Sequence, residues 1–150
     1  GYSSKPNQRN TIQFDAISKP YKTDQHEHKL LSDIDRYMLC QNMPTMFSHK
    51  LVAVTDRYNK HKMVAGRDIY DIYYFFINGN KYNPAIIEER TNLQPKAYLT
   101  NLHDFISKHI SDVDLSNDLN TLLPYKTFNS LRNSLKSLVL DLLTQEIKRI

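Results

Sequence analysis

The chain has 150 residues, of which 40% are hydrophobic and 24% charged, with a net charge of +4. This balance excludes an intrinsically disordered chain, and the length favours one domain with a real core. Only 3 glycines and 6 prolines are present, which argues against a loop-rich or all-β fold. The mild positive charge permits a polyanionic partner such as RNA or a nucleotide, but many proteins without such a partner share it.

The single cysteine, Cys40, cannot form an internal disulfide, which fits a reducing cytoplasm. No apolar run approaches the roughly 18 residues that span a bilayer, so no membrane partner is expected. The N-terminal segment GYSSKPNQRN is polar and lacks the apolar core of a signal peptide. These features predict a cytoplasmic protein.

The first part of the chain has the pattern of a small piece of sheet. Residues 1–10 are predicted to form a flexible arm, and TIQFDAI (11–17) alternates with the period of a half-buried strand. The polar segment 18–29 is predicted to be a loop. A second strand is predicted over DRYMLCQ (35–41).

The pattern then becomes helical. Asn42 and Thr45 are candidate caps and Pro44 suits a first turn, so a helix is predicted to run to about Tyr58. A basic loop, NKHKMVAG, leads into a second helix over RDIYDIYYFFI, which ends at NGN. Further helices are predicted over residues 83–91, 95–110 and 115–123, and one continuous helix from Thr127 almost to the end.

We therefore predict an α+β chain that is predominantly helical. One or two N-terminal β-strands would be followed by a C-terminal helical bundle. Residues 1–42 would form the arm and strand segment, residues 43–150 would form the bundle, and the two together would make one compact unit.

Charged residues interrupt the aromatic stretch RDIYDIYYFF. On a helix, Asp68 lies three residues before Asp71 and Arg67 lies four before it, so all three share one edge. The preceding helix carries Lys50 and Arg57 on one face. These groups could form an interhelical ion network, or a phosphate clamp whose lysine is positioned by carboxylates. Periodicity alone does not separate the two alternatives.

The segment MFSHKLVAVTDRYNKHKMVAGRDIYDIYYFF (46–76) resembles the second half of the AbiEii/AbiGii-type nucleotidyltransferases, toxins of type IV toxin–antitoxin and phage-defence systems. That family has a helix with a lysine followed by alanine and arginine, and then an Arg-Asp-x-Tyr-Asp helix. The matching residues are Lys50, Leu51, Ala53, Arg57, Arg67, Asp68, Tyr70, Asp71 and Ile72. Two motifs in the same order make the resemblance much stronger than either alone.

The resemblance implies a polymerase-β-like transferase that moves a nucleotide from an NTP to an acceptor, with transfer RNA 3′ ends as one acceptor class. Lys50 would contact the donor phosphates, and Asp71, or else Asp68, would orient Lys50 or act as the base. Arg57 and Arg67 would be further phosphate contacts or structural partners. Mg²⁺ is the implied cofactor and an antitoxin a candidate protein partner.

The family's metal-binding motif, a Gly-Ser turn followed by Asp-x-Asp, does not occur in this sequence, which has no Gly-Ser pair. Phe14-Asp15-Ala16 has the form of the third metal carboxylate of that fold, so Asp15 is a candidate metal ligand. The alternative is an exposed Asp15 on a half-buried strand. The resemblance thus implies the C-terminal part of a longer transferase, nearly inactive in isolation.

Two other interpretations remain open. The chain could be a non-catalytic basic helical module that binds RNA or a protein partner, with Arg67, Asp68 and Asp71 in structural ion pairs. Separately, His26 and His28 could bind a metal ion, but two ligands do not complete a zinc site. An exposed loop is the expected role of that segment.

Overall fold

A computed structural model describes residues 20–150. The elements in chain order are β1 (His26–Leu31), β2 (Arg36–Gln41), α1 (Met43–His61), α2 (Gly66–Ile77), α3 (Pro84–Thr91), α4 (Pro95–His109), α5 (Asp112–Leu119), α6 (Tyr125–Leu131) and α7 (Leu135–Arg149). The prediction of an α+β, predominantly helical chain is confirmed. The predicted strand at 11–17 and Asp15 lie outside the described residues.

The two strands form an antiparallel hairpin in which His26 lies opposite Gln41 and Leu31 opposite Arg36. The predicted strand at 35–41 is therefore confirmed, whereas the predicted loop at 18–29 is wrong from residue 26 onward. Asp35 adopts a left-handed conformation, with φ of 48°, and this lets a short turn fold His26–Leu31 back onto the second strand.

Helix α1 begins at the predicted cap and ends later than predicted. The Asn42 side chain accepts a hydrogen bond from the backbone N–H of Thr45 at 3.0 Å, and Pro44 lies in the first turn. The helix continues to His61, and Lys62 adopts a left-handed conformation that closes it. The predicted basic loop is consequently shorter and spans residues 62–65.

One core joins the helices. Helix α1 packs on α2 and α3, and α7 packs on α2 and α4. The ring of Phe47 stacks on Phe75 with centroids 4.8 Å apart, and Phe76 meets it edge-on. These contacts fix how α1 and α2 lie against each other, and so they position the charged residues of both helices.

The C-terminal half departs from the prediction in two places. Helix α5 begins at Asp112 because the Ser111 side chain caps it, accepting a hydrogen bond from the N–H of Asp114. The predicted continuous helix from Thr127 is wrong, because the chain breaks between α6 and α7 at residues 132–134. Asparagine and serine there compete for backbone hydrogen bonds and favour a turn. Across residues 20–150, none of the helices has the length and hydrophobicity to cross a membrane.

Candidate functional site

Two ion pairs link α1 to α2. Lys50 Nζ lies 2.6 Å from Asp71 Oδ2, and Arg57 Nε lies 2.7 Å from Asp68 Oδ2. Lysine and arginine are two turns apart on α1, and the aspartates are one turn apart on α2. The structure therefore brings together four of the residues singled out in the sequence.

The two pairs differ in burial. The Asp68 side chain is only 3% exposed and its partner Arg57 34%, whereas Lys50 is 40% and Asp71 30% exposed, so the difference lies in the carboxylates. A buried carboxylate needs its cationic partner, so Asp68 fixes the orientation of Arg57. The more exposed pair, Lys50 and Asp71, which we call the outer pair, remains accessible to a ligand. Arg67 is 61% exposed at the start of α2, with Nε 4.0 Å from Asp68 Oδ1.

A cleft of about 510 Å³ opens beside α1. Its lining residues are Pro20, Tyr21, Asp24, His26, Gln41, His49, Lys50, Ala53, Arg57, Asp68 and Arg90. The volume is typical of a small-molecule site. Lys50, Ala53 and Arg57 form a wall along one face of α1, which we call the helix wall. Asp71 does not line the cleft itself, but its carboxylate is paired with Lys50 of the helix wall.

The other wall is built from the loop 20–25 and α3, and we call it the loop wall. His49 Nε2 lies 2.7 Å from Asp24 Oδ1, and Arg90 Nη1 lies 2.8 Å from His49 Nδ1. A guanidinium can only donate, so Nδ1 accepts and Nε2 carries the proton that is donated to Asp24. Both ring nitrogens of His49 are therefore engaged in positioning its neighbours.

Glu89 holds the loop wall in place. Its carboxylate accepts hydrogen bonds from the backbone N–H of Lys22 at 2.9 Å and of Thr23 at 3.0 Å. The Thr23 hydroxyl also donates to it. The hydroxyl hydrogen bond, followed by the two backbone ones, lowers the pKa of Glu89 below its usual value. The loop is thus anchored to α3 by a charged group.

Four residues of the cleft were not predicted from the sequence as parts of a site: Tyr21, Asp24, His49 and Arg90. His49 carried a usable signal, since it precedes Lys50 on a predicted helix. The other three had no local signal, because they come from a polar loop and from a helix about 40 residues further along the chain.

The described residues do not fit a magnesium site. Within residues 20–150, no group of three or more His, Cys, Asp or Glu side chains could hold a metal ion. Asp33 and Asp35 lie in the hairpin turn, and Asp112 and Asp114 in the first turn of α5. The segment HEHK forms part of an exposed strand rather than a loop. Asp15, the predicted metal ligand, lies outside the described part.

The comparison with protein families matches the model described as nucleotidyl transferase AbiEii toxin, type IV TA system, over residues 2–141. The chain belongs to this family. The resemblance carried by the lysine–arginine and Arg-Asp-x-Tyr-Asp helices is thereby confirmed. No curated protein and no solved structure matches the chain.

The family match spans both walls of the cleft, from Tyr21 to Arg90. Membership of the AbiEii family indicates a nucleotidyltransferase toxin of a type IV toxin–antitoxin system. Such a system implies a nucleotide substrate and an antitoxin as partner. The roles of individual residues in this family member are proposals, developed below from the geometry of the cleft.

Proposed function

We propose that the cleft binds the triphosphate of an NTP, from which a nucleotide is transferred to an acceptor such as transfer RNA. One observation carries the proposal: two cations of the helix wall, Lys50 and Arg57, line one cleft while each is held by a carboxylate of α2. Side chains oriented before the ligand arrives lose less conformational entropy on binding.

Both cations have donors to spare. The ammonium of Lys50 has three N–H groups and the guanidinium of Arg57 has five. Asp71 engages the ammonium at Nζ, and Asp68 engages the guanidinium at Nε. Phosphate oxygens can therefore accept hydrogen bonds from the remaining N–H groups without breaking either pair. Lys50 would act as a point charge and Arg57 as a planar donor.

In the proposed reaction, the acceptor hydroxyl oxygen attacks the α-phosphorus of the NTP. A new P–O bond forms, the bond to the leaving pyrophosphate breaks, and the hydroxyl proton passes to a base. Both carboxylates are bonded to a cation, and Asp71 is the better base because it is 30% exposed whereas Asp68 is 3% exposed. Asp71 would also orient Lys50, and Asp68 would position Arg57.

The family also implies Mg²⁺ as cofactor, and an antitoxin that binds the toxin. We assign no Mg²⁺ site to residues 20–150, because no metal-binding group is found there. The function proposed for the described residues is accordingly to bind the donor and to position Lys50 and Arg57 at it. Asp15 stays a predicted metal ligand.

A two-dimensional amide NMR titration with each NTP tests this proposal. We expect saturable shifts at residues 50–57 and 67–71, and a loss of affinity of at least about tenfold in Lys50→Ala, which removes one phosphate contact. Lys60→Ala is the matched control, because it removes an exposed lysine of the same helix outside the cleft. Unchanged spectra with all four nucleotides would refute the proposal.

The rival function, a basic module that binds RNA without catalysis, is favoured by a different surface. The rings of Tyr58, Phe105 and His109 form a cluster with centroids 4.9–5.1 Å apart, and Lys62 Nζ lies 5.4 Å from the Tyr58 ring. Aromatic rings interleaved with cations bind single-stranded nucleic acid. This alternative predicts that Phe105→Ala weakens RNA binding while Lys50→Ala leaves it unchanged.

A further inference from the structure

Tyr21 is a half-buried aromatic residue whose ring is already fixed in the cleft. The guanidinium of Arg90 lies 5.3 Å from the ring centroid, and the imidazole of His49 lies 5.5 Å from it. The side chain of Arg90 is 12% exposed and that of His49 is 18% exposed, so both back the ring from the protein side. The part of Tyr21 that they leave uncovered lines the cleft.

Tyr21 and Arg57 lie towards opposite ends of the cleft. His49, which contacts Tyr21, precedes Arg57 by eight residues on α1, and at roughly 1.5 Å per residue the two are about 12 Å apart. Lys50 and Ala53 lie between them on the same wall. The small Ala53 side chain leaves room over the middle of the helix. Along α1, the residues of this wall therefore run from His49 and Lys50 beside Tyr21, past Ala53, to Arg57.

Among the described residues that line the cleft, Tyr21 alone has a phenol or phenyl ring. We infer that Tyr21 stacks on the base of the bound NTP, an inference that rests on the proposed function and assigns the base to the end of the cleft away from Arg57. Every base has a flat π-face, so stacking supplies affinity without selecting one base. The phosphates would then lie along α1, within reach of both Lys50 and Arg57.

Hydrogen-bonding groups lie at the same cleft. His26 and Gln41 are direct partners in the hairpin, and both line the cleft. An amide and an imidazole can donate to and accept from the edge of a base. They are available to contact the edge of a base whose face is stacked on Tyr21.

Isothermal titration calorimetry of the whole chain with ATP, GTP, CTP, UTP and inorganic tripolyphosphate, without added metal ion, tests the inference. Tyr21→Leu removes the ring, and Tyr21→Phe is the matched control that keeps it. We expect Tyr21→Leu to lose about tenfold in affinity for the NTPs, in line with the loss of one stacked base, and to keep its affinity for tripolyphosphate. Tyr21→Phe should bind both as the parent does.

The remaining outcomes separate this inference from the proposed function. If the parent binds tripolyphosphate as tightly as NTPs, the phosphate site stands and the stacking role of Tyr21 is wrong. Equal losses for both ligands in Tyr21→Leu would also overturn stacking, because the ring would then only support the cleft. If the parent binds neither ligand, the proposed function itself fails.

Discussion

The helix wall and the loop wall of the cleft are held in different ways. The helix wall, with Lys50, Ala53 and Arg57, is one face of a capped helix whose rings and charges are locked against α2. The loop wall has no regular structure over residues 20–25 and depends on hydrogen bonds to Glu89 and His49. The first is maintained by packing and the second by a few polar contacts, so their responses to mutation should differ.

The largest effect is expected at the buried pair of the helix wall. Arg57→Ala leaves the Asp68 carboxylate, 3% exposed, without its partner at 2.7 Å. Losing one member of a fully buried pair costs about 3–5 kcal/mol of unfolding free energy, and because Arg57 is itself 34% exposed we expect a smaller loss of about 2–3 kcal/mol. Urea denaturation measures this loss. Arg57→Lys keeps the charge and should retain part of the stability. A loss below about 1 kcal/mol in Arg57→Ala would show that Asp68 gains solvent or Arg67 as a replacement.

A substitution in the middle of the helix wall tests whether a nucleotide binds there without changing the charge of the cleft. Ala53→Leu adds bulk between Lys50 and Arg57 without altering either ion pair, so NTP affinity should fall by about tenfold or more. The unfolding free energy should change by less than about 0.5 kcal/mol, as for surface substitutions. Calorimetric titration and urea denaturation measure the two quantities. Unchanged affinity would place the nucleotide away from the helix wall.

The outer pair should contribute little to stability. Lys50 and Asp71 are 40% and 30% exposed, so solvent screens their attraction, and Lys50→Ala should lower the unfolding free energy by no more than about 1 kcal/mol. Urea denaturation beside Arg57→Ala compares the two ends of the helix wall directly. A loss as large as that of Arg57→Ala would make the outer pair structural and favour the non-catalytic alternative.

The loop wall should respond locally. Glu89→Gln weakens the acceptor for Lys22 and Thr23, so their amides should exchange faster while those of α1 keep their protection. Because the pKa of Glu89 is lowered in the folded chain, its stabilisation is present above about pH 4.5 and is lost as the pH falls through the lowered pKa. Hydrogen exchange as a function of pH should show this loss in the parent and not in Glu89→Gln. Identical pH profiles would mean that other contacts hold the loop.

Much of the helix wall could be predicted from the sequence. Helical periodicity is a local property, so the spacing of Lys50 and Arg57, and of Asp68 and Asp71, already placed each pair on one face. The cap at Asn42 indicated where α1 begins, and the Arg-Asp-x-Tyr-Asp motif indicated the family. Periodicity could not decide which cation pairs with which carboxylate, or that one pair is buried.

The loop wall was decided by the tertiary structure. Thr23 and Glu89 are 66 residues apart in the chain, and His49 and Arg90 are 41 apart. No local sequence pattern can therefore predict either contact. The hairpin turn contains Asp35 in a left-handed conformation, and the break between α6 and α7 falls at residues 132–134. The sequence by itself determined α1, α2 and their charged faces. Only packing decided that a loop and a third helix would complete the cleft, because those contacts form between segments that are far apart in the chain.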